Sequence, residues 1–265
     1  MTADERKRSY PRSAARKPAP ARQGDERRGG RAGNRDHLQR RARDERQTED
    51  RPVAHIDDEI VRELRATARP GKGEILVKVF SEAVGAYLTE DYRDAVRLGE
   101  QAKHIALRSP SARELLGLAY YRAGSYKEAA RELSAFKRLT GSLTQNAVLA
   151  DCYRAIGKRD KALELVDELD YSSVEPAVFY EGAIVGAGAL ADEGRVDEAI
   201  ERLERLDLRP PVAEDHHLRA WYVLGDLLQR KGRFSQARSW FEAVAAADAE
   251  STDAPARAAR LAKGR

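Results

Sequence analysis

Few of the residues in this 265-residue chain that could do chemistry are spaced to do it. Gly186-Ala187-Gly188-Ala189-Leu190-Ala191 matches the letters of a dinucleotide-binding loop. Such a loop works only after a strand and at the opening of a helix, where backbone amides meet a pyrophosphate. Here the letters fall inside Ala183–Ala191, the longest uncharged apolar run, and read as a helix interior with small residues for close packing. Gly71-Lys72-Gly73 lacks the spacing and the Ser or Thr of a phosphate loop and reads as a turn between helices. His216 and His217 are adjacent, so on a helix their side chains point about 100° apart, and no cysteine lies near enough to complete a zinc site. Cys152 is the only cysteine and reads as a small buried hydrophobe beside Tyr153. No Ser, His and Asp spacing marks a nucleophile, and no carboxylate pair stands out from the many solvated ones. We therefore expect no catalytic residue, no metal and no cofactor, and a chain that is not an enzyme.

The arginines offer a different chemistry. Residues 1–52 hold 16 basic and 9 acidic residues, a local +7, while the remainder carries 32 basic and 35 acidic, a local −3. Arg27-Arg28-Gly29-Gly30-Arg31 and Arg40-Arg41-Ala42-Arg43 are the densest clusters. Arg27, Arg28, Arg31, Arg40, Arg41 and Arg43 are the candidate phosphate contacts, because mobile arginines neutralise phosphates without reading sequence. Tyr10 is the only aromatic there that could stack on a base, and the interspersed acids weaken the attraction. A solubilising linker is the plainer reading of the same residues. Met1, Tyr10 and Leu38 are the only large apolar residues of this stretch, too few to offset an ordering cost of about 1–2 kcal/mol per residue, so a disordered Arg-rich tail is expected.

The rest of the chain must supply the elements. One cysteine excludes an intrachain disulfide and suggests a reducing, cytoplasmic setting. No apolar run approaches the roughly 20 residues of a membrane span, and no secretory leader is expected from the first residues. Ile56, Ile60, Val61 and Leu64 fall at helical spacing behind Asp57-Asp58-Glu59, which predicts a helix over about 57–68, stopped by Pro70-Gly71. Beyond it an internal repeat runs to about residue 250. Gly124, Gly157, Gly194 and Gly232 each precede an alanine by five residues: Ala129, Ala162, Ala199 and Ala237. Seven residues before each glycine stands a small residue: Gly117, Ala150, Ala187 and Gly225. Tyr92 and Ala95 mark an earlier, weaker copy, with Glu90 where the others have glycine. The repeat alanines are spaced by 34, 33, 37 and 38 residues. Each copy reads as two amphipathic helices, the small residues marking where their backbones cross, and such pairs bury their apolar faces only by stacking.

Leu116-Gly117-Leu118-Ala119-Tyr120-Tyr121-Arg122-Ala123-Gly124-Ser125-Tyr126-Lys127-Glu128-Ala129, together with Trp221 and Leu224-Gly225, makes the pattern resemble the tetratricopeptide repeat (TPR) family. The resemblance implies an all-α, TPR-like helix-pair solenoid of about five repeats, roughly 76–109, 110–142, 143–176, 180–213 and 218–250, within a domain spanning 53–265. It also implies a concave groove lined by the first helix, helix A, of each repeat. Positions carried over from the family include Phe80 and Val84, Leu118, Glu181, Ile184 and Gly188. The expected partner-binding set is Tyr87, Glu114, Tyr121, Asp151, Arg154, Arg219, Tyr222, Asp226 and Gln229, with Tyr and Arg as anchors. The groove positions hold no Lys-plus-Asn set of the kind that clamps a partner's C-terminal carboxylate in some members. The function implied is a non-catalytic scaffold or adaptor that binds a protein or peptide. The alternative is an RNA- or ribosome-associated factor whose tail contacts phosphate.

Overall fold

Twelve α-helices and no strand make up the described residues, 54–263, of the structure, a computed structural model. The expected tail over residues 1–52 and its six candidate phosphate-contacting arginines lie outside the described residues. None of the twelve helices is long and apolar enough to cross a membrane. The described residues gather into two compact units that divide between Leu139 and Thr140.

The first unit holds α1 (Asp58–Thr67), α2 (Gly73–Leu88), α3 (Tyr92–Ile105), α4 (Pro110–Arg122) and most of α5 (Tyr126–Thr140). Local signals start the helices. Ser109 caps α4 by accepting from the Ala112 amide at 3.1 Å, and Pro110 follows at the position where proline's missing N–H costs nothing. Asp91 caps α3 in the same way, through the Asp94 amide at 3.1 Å. The helices α2 and α3 pack as a pair, and α4 follows onto α3. Where α4 crosses α5, a Cβ on Gly117 would lie 2.6 Å from Leu133 Cδ2, so glycine is what lets the backbones approach.

The second unit holds α6 (Asn146–Ala155), α7 (Arg159–Asp167), α8 (Pro176–Asp192), α9 (Val196–Glu204), α10 (Asp215–Arg230), α11 (Phe234–Ala247) and α12 (Ala254–Lys263). Here α6 pairs with α7, α8 with α9 and α10 with α11, while α8 also packs on α6 and α10, so successive A helices lie side by side. Tyr180, Leu203, Leu224 and Phe241 are the large side chains at the centre of one core that runs from α8 to α12. Each such apolar side chain contributes about 1.5–3 kcal/mol on burial.

The repeat alanines Ala95, Ala129, Ala162, Ala199 and Ala237 are all fully buried, as are Ala150 and Ala187. Gly124, Gly157, Gly194 and Gly232 turn the corner inside each repeat with φ between 74° and 80°, a left-handed conformation that glycine adopts without cost. At the equivalent corner of the first copy Glu90 takes φ 62°, the one non-glycine positive φ among the described residues.

Candidate functional site

The A helices of the second unit, α6, α8 and α10, share one polar face. Asp151 and Arg154 stand one turn apart on α6, and Arg154 Nε donates to Asp151 Oδ1 at 2.8 Å. The same guanidinium extends to α8, where Nη1 meets Asp192 Oδ2 at 2.8 Å. It crosses α8 beside Gly188, where a Cβ would lie 3.6 Å from Arg154 Cδ. Glu181, further back on α8 and buried, pairs with Arg219 of α10. Burial pushes the Glu181 carboxyl above its ordinary range, the charge of Arg219 opposes that, and Asp151 adds to it. Asp151 with Arg154 and Glu181 with Arg219 thus form a ladder of two ion pairs across three adjacent helices, half-buried for all members but Glu181. Ile184 and Tyr222 stand half-buried on the same helices.

The glycines of α8 clear paths for neighbouring side chains. A Cβ on Gly186 would lie 2.6 Å from Arg202 Nε, and that arginine reaches past α8 to pair with Asp167 of α7. Gly186 therefore clears the path of a crossing arginine within a helix interior, whereas a Cβ at Gly188 would make only ordinary contact with Arg154.

At the far end of α10 the expected groove residues Tyr222, Asp226 and Gln229 are engaged by α12. Arg257 of α12 donates to Asp226 Oδ1 at 2.8 Å, to Gln229 Oε1 at 2.7 Å and to Tyr222 Oη at 3.3 Å. Its guanidinium lies 4.2 Å from the Phe241 ring centroid, and Tyr222 donates to Asp253 Oδ1 at 2.6 Å. Arg230 adds a second cation on Asp226 at 2.8 Å. Repeat spacing gives no sign of an arginine from this last helix reaching back onto these three residues.

In the first unit the expected lining residues fall differently. Tyr87 is buried, its ring edge-on to Tyr92 at 5.6 Å, so it fills the corner between α2 and α3 instead of opening onto a groove. Tyr121 repeats the arrangement with Tyr126 at 5.9 Å, and is half-buried. Phe80 and Val84 are buried, while Glu114 on α4 is half-buried. Sequence spacing put these rings on the inner stripe of helix A without revealing that each closes against the aromatic five residues on.

The remaining candidates are structural. Cys152 is buried and its thiol is pushed up by that burial, with Asp151 adding to the effect, so it is a poor nucleophile. His216 and His217 do not diverge as simple helical geometry suggests. Their ring centroids are 4.0 Å apart, because both rings fold onto Tyr180, at 4.6 and 4.9 Å, and His217 Nδ1 accepts from the Glu214 amide at 3.0 Å. Among the described residues, no three His, Cys, Asp or Glu gather where they could hold a metal ion.

The stacked helix pairs define an α-helical repeat protein, and in the second unit the A helices carry a shared polar face. Comparison with known proteins supplies the family. The model of a tetratricopeptide repeat matches residues 190–262, and that of the anaphase-promoting complex, cyclosome, subunit 3 matches residues 89–169. No curated protein matches the chain significantly. Similar solved structures include a thermophilic TPR protein of Thermus thermophilus, at 18% identity and TM-score 0.54 over 71% of this chain and 98% of that one. The apo quorum sensor NprR of B. thuringiensis matches at 13% identity and TM-score 0.60 over 86% of this chain and 76% of that one. The Cut9–Hcn1 hetero-tetramer of the APC/C matches at 13% identity and TM-score 0.55 over 76% of this chain and 39% of that one. The chain is a tetratricopeptide-repeat protein.

Proposed function

We propose that this protein is a non-catalytic scaffold or adaptor, working in a reducing, cytoplasmic setting, that holds a segment of a partner protein along the A-helix face of its second unit. The observation that carries this reading is the charge ladder of Asp151, Arg154, Glu181 and Arg219 beside Ile184 and Tyr222. Half-buried charges on a rigid helical face orient and select a partner more than they add affinity, and arginine and tyrosine are the residue types that most often anchor an interface. In this reading each repeat contributes one A helix to the binding surface.

The test is selection of peptides from a random library on the full chain, followed by titration against variants. Arg154→Ala and Arg219→Ala are each expected to weaken the selected peptides at least about tenfold, near 1.4 kcal/mol. Arg238→Ala removes an exposed pair with Glu242 on α11 and is expected to change nothing. Peptides that bind all three variants equally would place the binding surface elsewhere.

A further inference from the structure

Two histidines open α10, where a positive charge is least welcome. His216 and His217 are the second and third residues of that helix, and the macrodipole there favours anions over cations. Both are buried, at 6% and 8% exposure. Their rings lie 4.0 Å apart, and both pack on the ring of Tyr180 from α8. The contacts suit neutral rings. His217 Nδ1 accepts from the Glu214 amide at 3.0 Å, and an amide N–H can only donate, so the ring carries its proton on Nε2. A proton added at Nδ1 sets donor against donor and breaks that bond. Protonating both rings, 4.0 Å apart, makes a buried pair of like charges.

The same bond closes one end of the connection between α9 and α10, residues 205–214. Tyr180 closes the other end, its Oη donating to the Asp207 carbonyl at 2.7 Å. Its ring backs both imidazoles, so the loop and the histidines share one support. Between the two ties the loop is open to water: Asp207 Oδ1 accepts only from within it, from the Arg209 amide at 3.1 Å, and Val212 is 73% exposed. Burial, His217 and Arg219 disfavour the imidazolium of His216, and Glu214 and Asp215 favour it; the first group prevails and holds the pKa below its ordinary value. Glu214 Oε2 is 3.7 Å from His216 Nδ1, and Arg219 is paired with Glu181 of α8. From α11 comes an uncharged ring, Trp240, packed on Trp221.

We propose that the His216–His217 pair is a pH-sensitive fastening: neutral, it holds residues 205–214 and the first turn of α10 against α8, and on protonation it releases them. The fastened rings bind a proton more weakly than the released ones, so falling pH favours release. Each proton taken up shifts the balance by up to about tenfold per pH unit below the ordinary histidine pKa of about 6.5. The released turn also lets Glu214 close on the imidazolium it already faces. The fastening does not depend on what the charge ladder binds.

The test uses the full chain. Amide exchange of residues 205–218 is followed by mass spectrometry from about pH 8 to about pH 5, corrected for the intrinsic effect of pH, and the ring signals of His216 and His217 are titrated by NMR over the same range. These amides are expected to lose at least about tenfold in protection, with a midpoint matching that of the rings, while those around Phe241 in α11 keep theirs. In the double variant His216→Gln/His217→Gln, the second glutamine can still accept from the Glu214 amide but takes up no proton. Its exchange, fast or slow, is expected to lose the pH dependence. Equal protection across the range overturns the proposal, as does a midpoint that departs from that of the rings. So does an unchanged profile in the double variant, or loss of protection by the whole second unit at once.

Discussion

Glu132 on α5 is the most informative single residue to perturb. Its side chain is 0% exposed, yet it is a carboxylate. Arg113 of α4 pairs with it directly, Arg131 Nε donates at 3.0 Å, and Lys103 Nζ of α3 approaches to 3.3 Å. The charge thus ties together α3, α4 and α5. Glu132→Gln keeps the shape and removes the charge, which leaves the cations facing an amide. The Arg131 pair reaches solvent and is worth at most about 1 kcal/mol, and Lys103 retains Glu100 at 2.5 Å. Arg113 keeps its bonds to the Leu107 carbonyl, at 2.8 and 3.1 Å. These residual partners put the expected loss at the lower end of the range for a broken buried pair, about 3 kcal/mol near neutral pH. For a unit of this size that is a melting point lower by roughly 12–24 °C. The acid limb gives the sign. Burial pushes the Glu132 carboxyl up, but the Arg113 hydrogen bond, the charges of Lys103 and Arg113 and the Arg131 hydrogen bond together hold it below its ordinary value. The unfolded chain therefore takes up the proton first as pH falls. The stabilisation is complete above the ordinary glutamate pKa of about 4.3 and disappears as pH falls through the lower folded value. Urea unfolding of both proteins, followed by circular dichroism from neutral pH downwards, is expected to show a gap that closes in acid. A neutral-pH gap under about 1 kcal/mol, or one that stays constant into acid, would refute the account of this cluster.

Two further substitutions probe corners of the fold. Glu90→Gly relieves a left-handed residue whose cost is about 1–2 kcal/mol, against a smaller loss through the more flexible unfolded chain; a net gain of about 0.5–1 kcal/mol in a thermal melt is expected, and an unchanged or lower melting point would contradict it. The Glu90–Arg122 pair given up is long, at 3.6 Å, and exposed on the Glu90 side. His216 is held below its ordinary pKa by burial first, then by His217 and Arg219 against the opposing pull of Glu214 and Asp215. The unfolded state then binds the proton first, so stability is expected to fall as pH drops below about 6.5. His216→Gln should flatten that slope in melts taken at a series of pH values, and an unaltered slope would show that His216 does not govern it.

Much of the architecture was legible because the repeat is written in residue size. Ala129, Ala162, Ala199 and Ala237 are small where helices cross, and all are buried. Gly124, Gly157, Gly194 and Gly232 mark corners, and all have positive φ. The surface was less legible. Position in a repeat says which stripe of a helix a residue occupies, but not what lies over that stripe. Tyr87 is turned inward by Tyr92, and Tyr222, Asp226 and Gln229 are held by Arg257 from another helix.

What the chain by itself determined is therefore the local and the periodic: helix length, corner, crossing point and the absence of strands among the described residues. These follow from backbone sterics and from burial at a fixed period, both of which act within one repeat. Only the tertiary structure decided which charges meet, that Arg154 spans to Asp192, that Glu181 finds Arg219, that α1 lies on α2 and α4. Long charged side chains have many partners within reach on a polar surface, and their choice depends on distances between helices that no repeat spacing encodes.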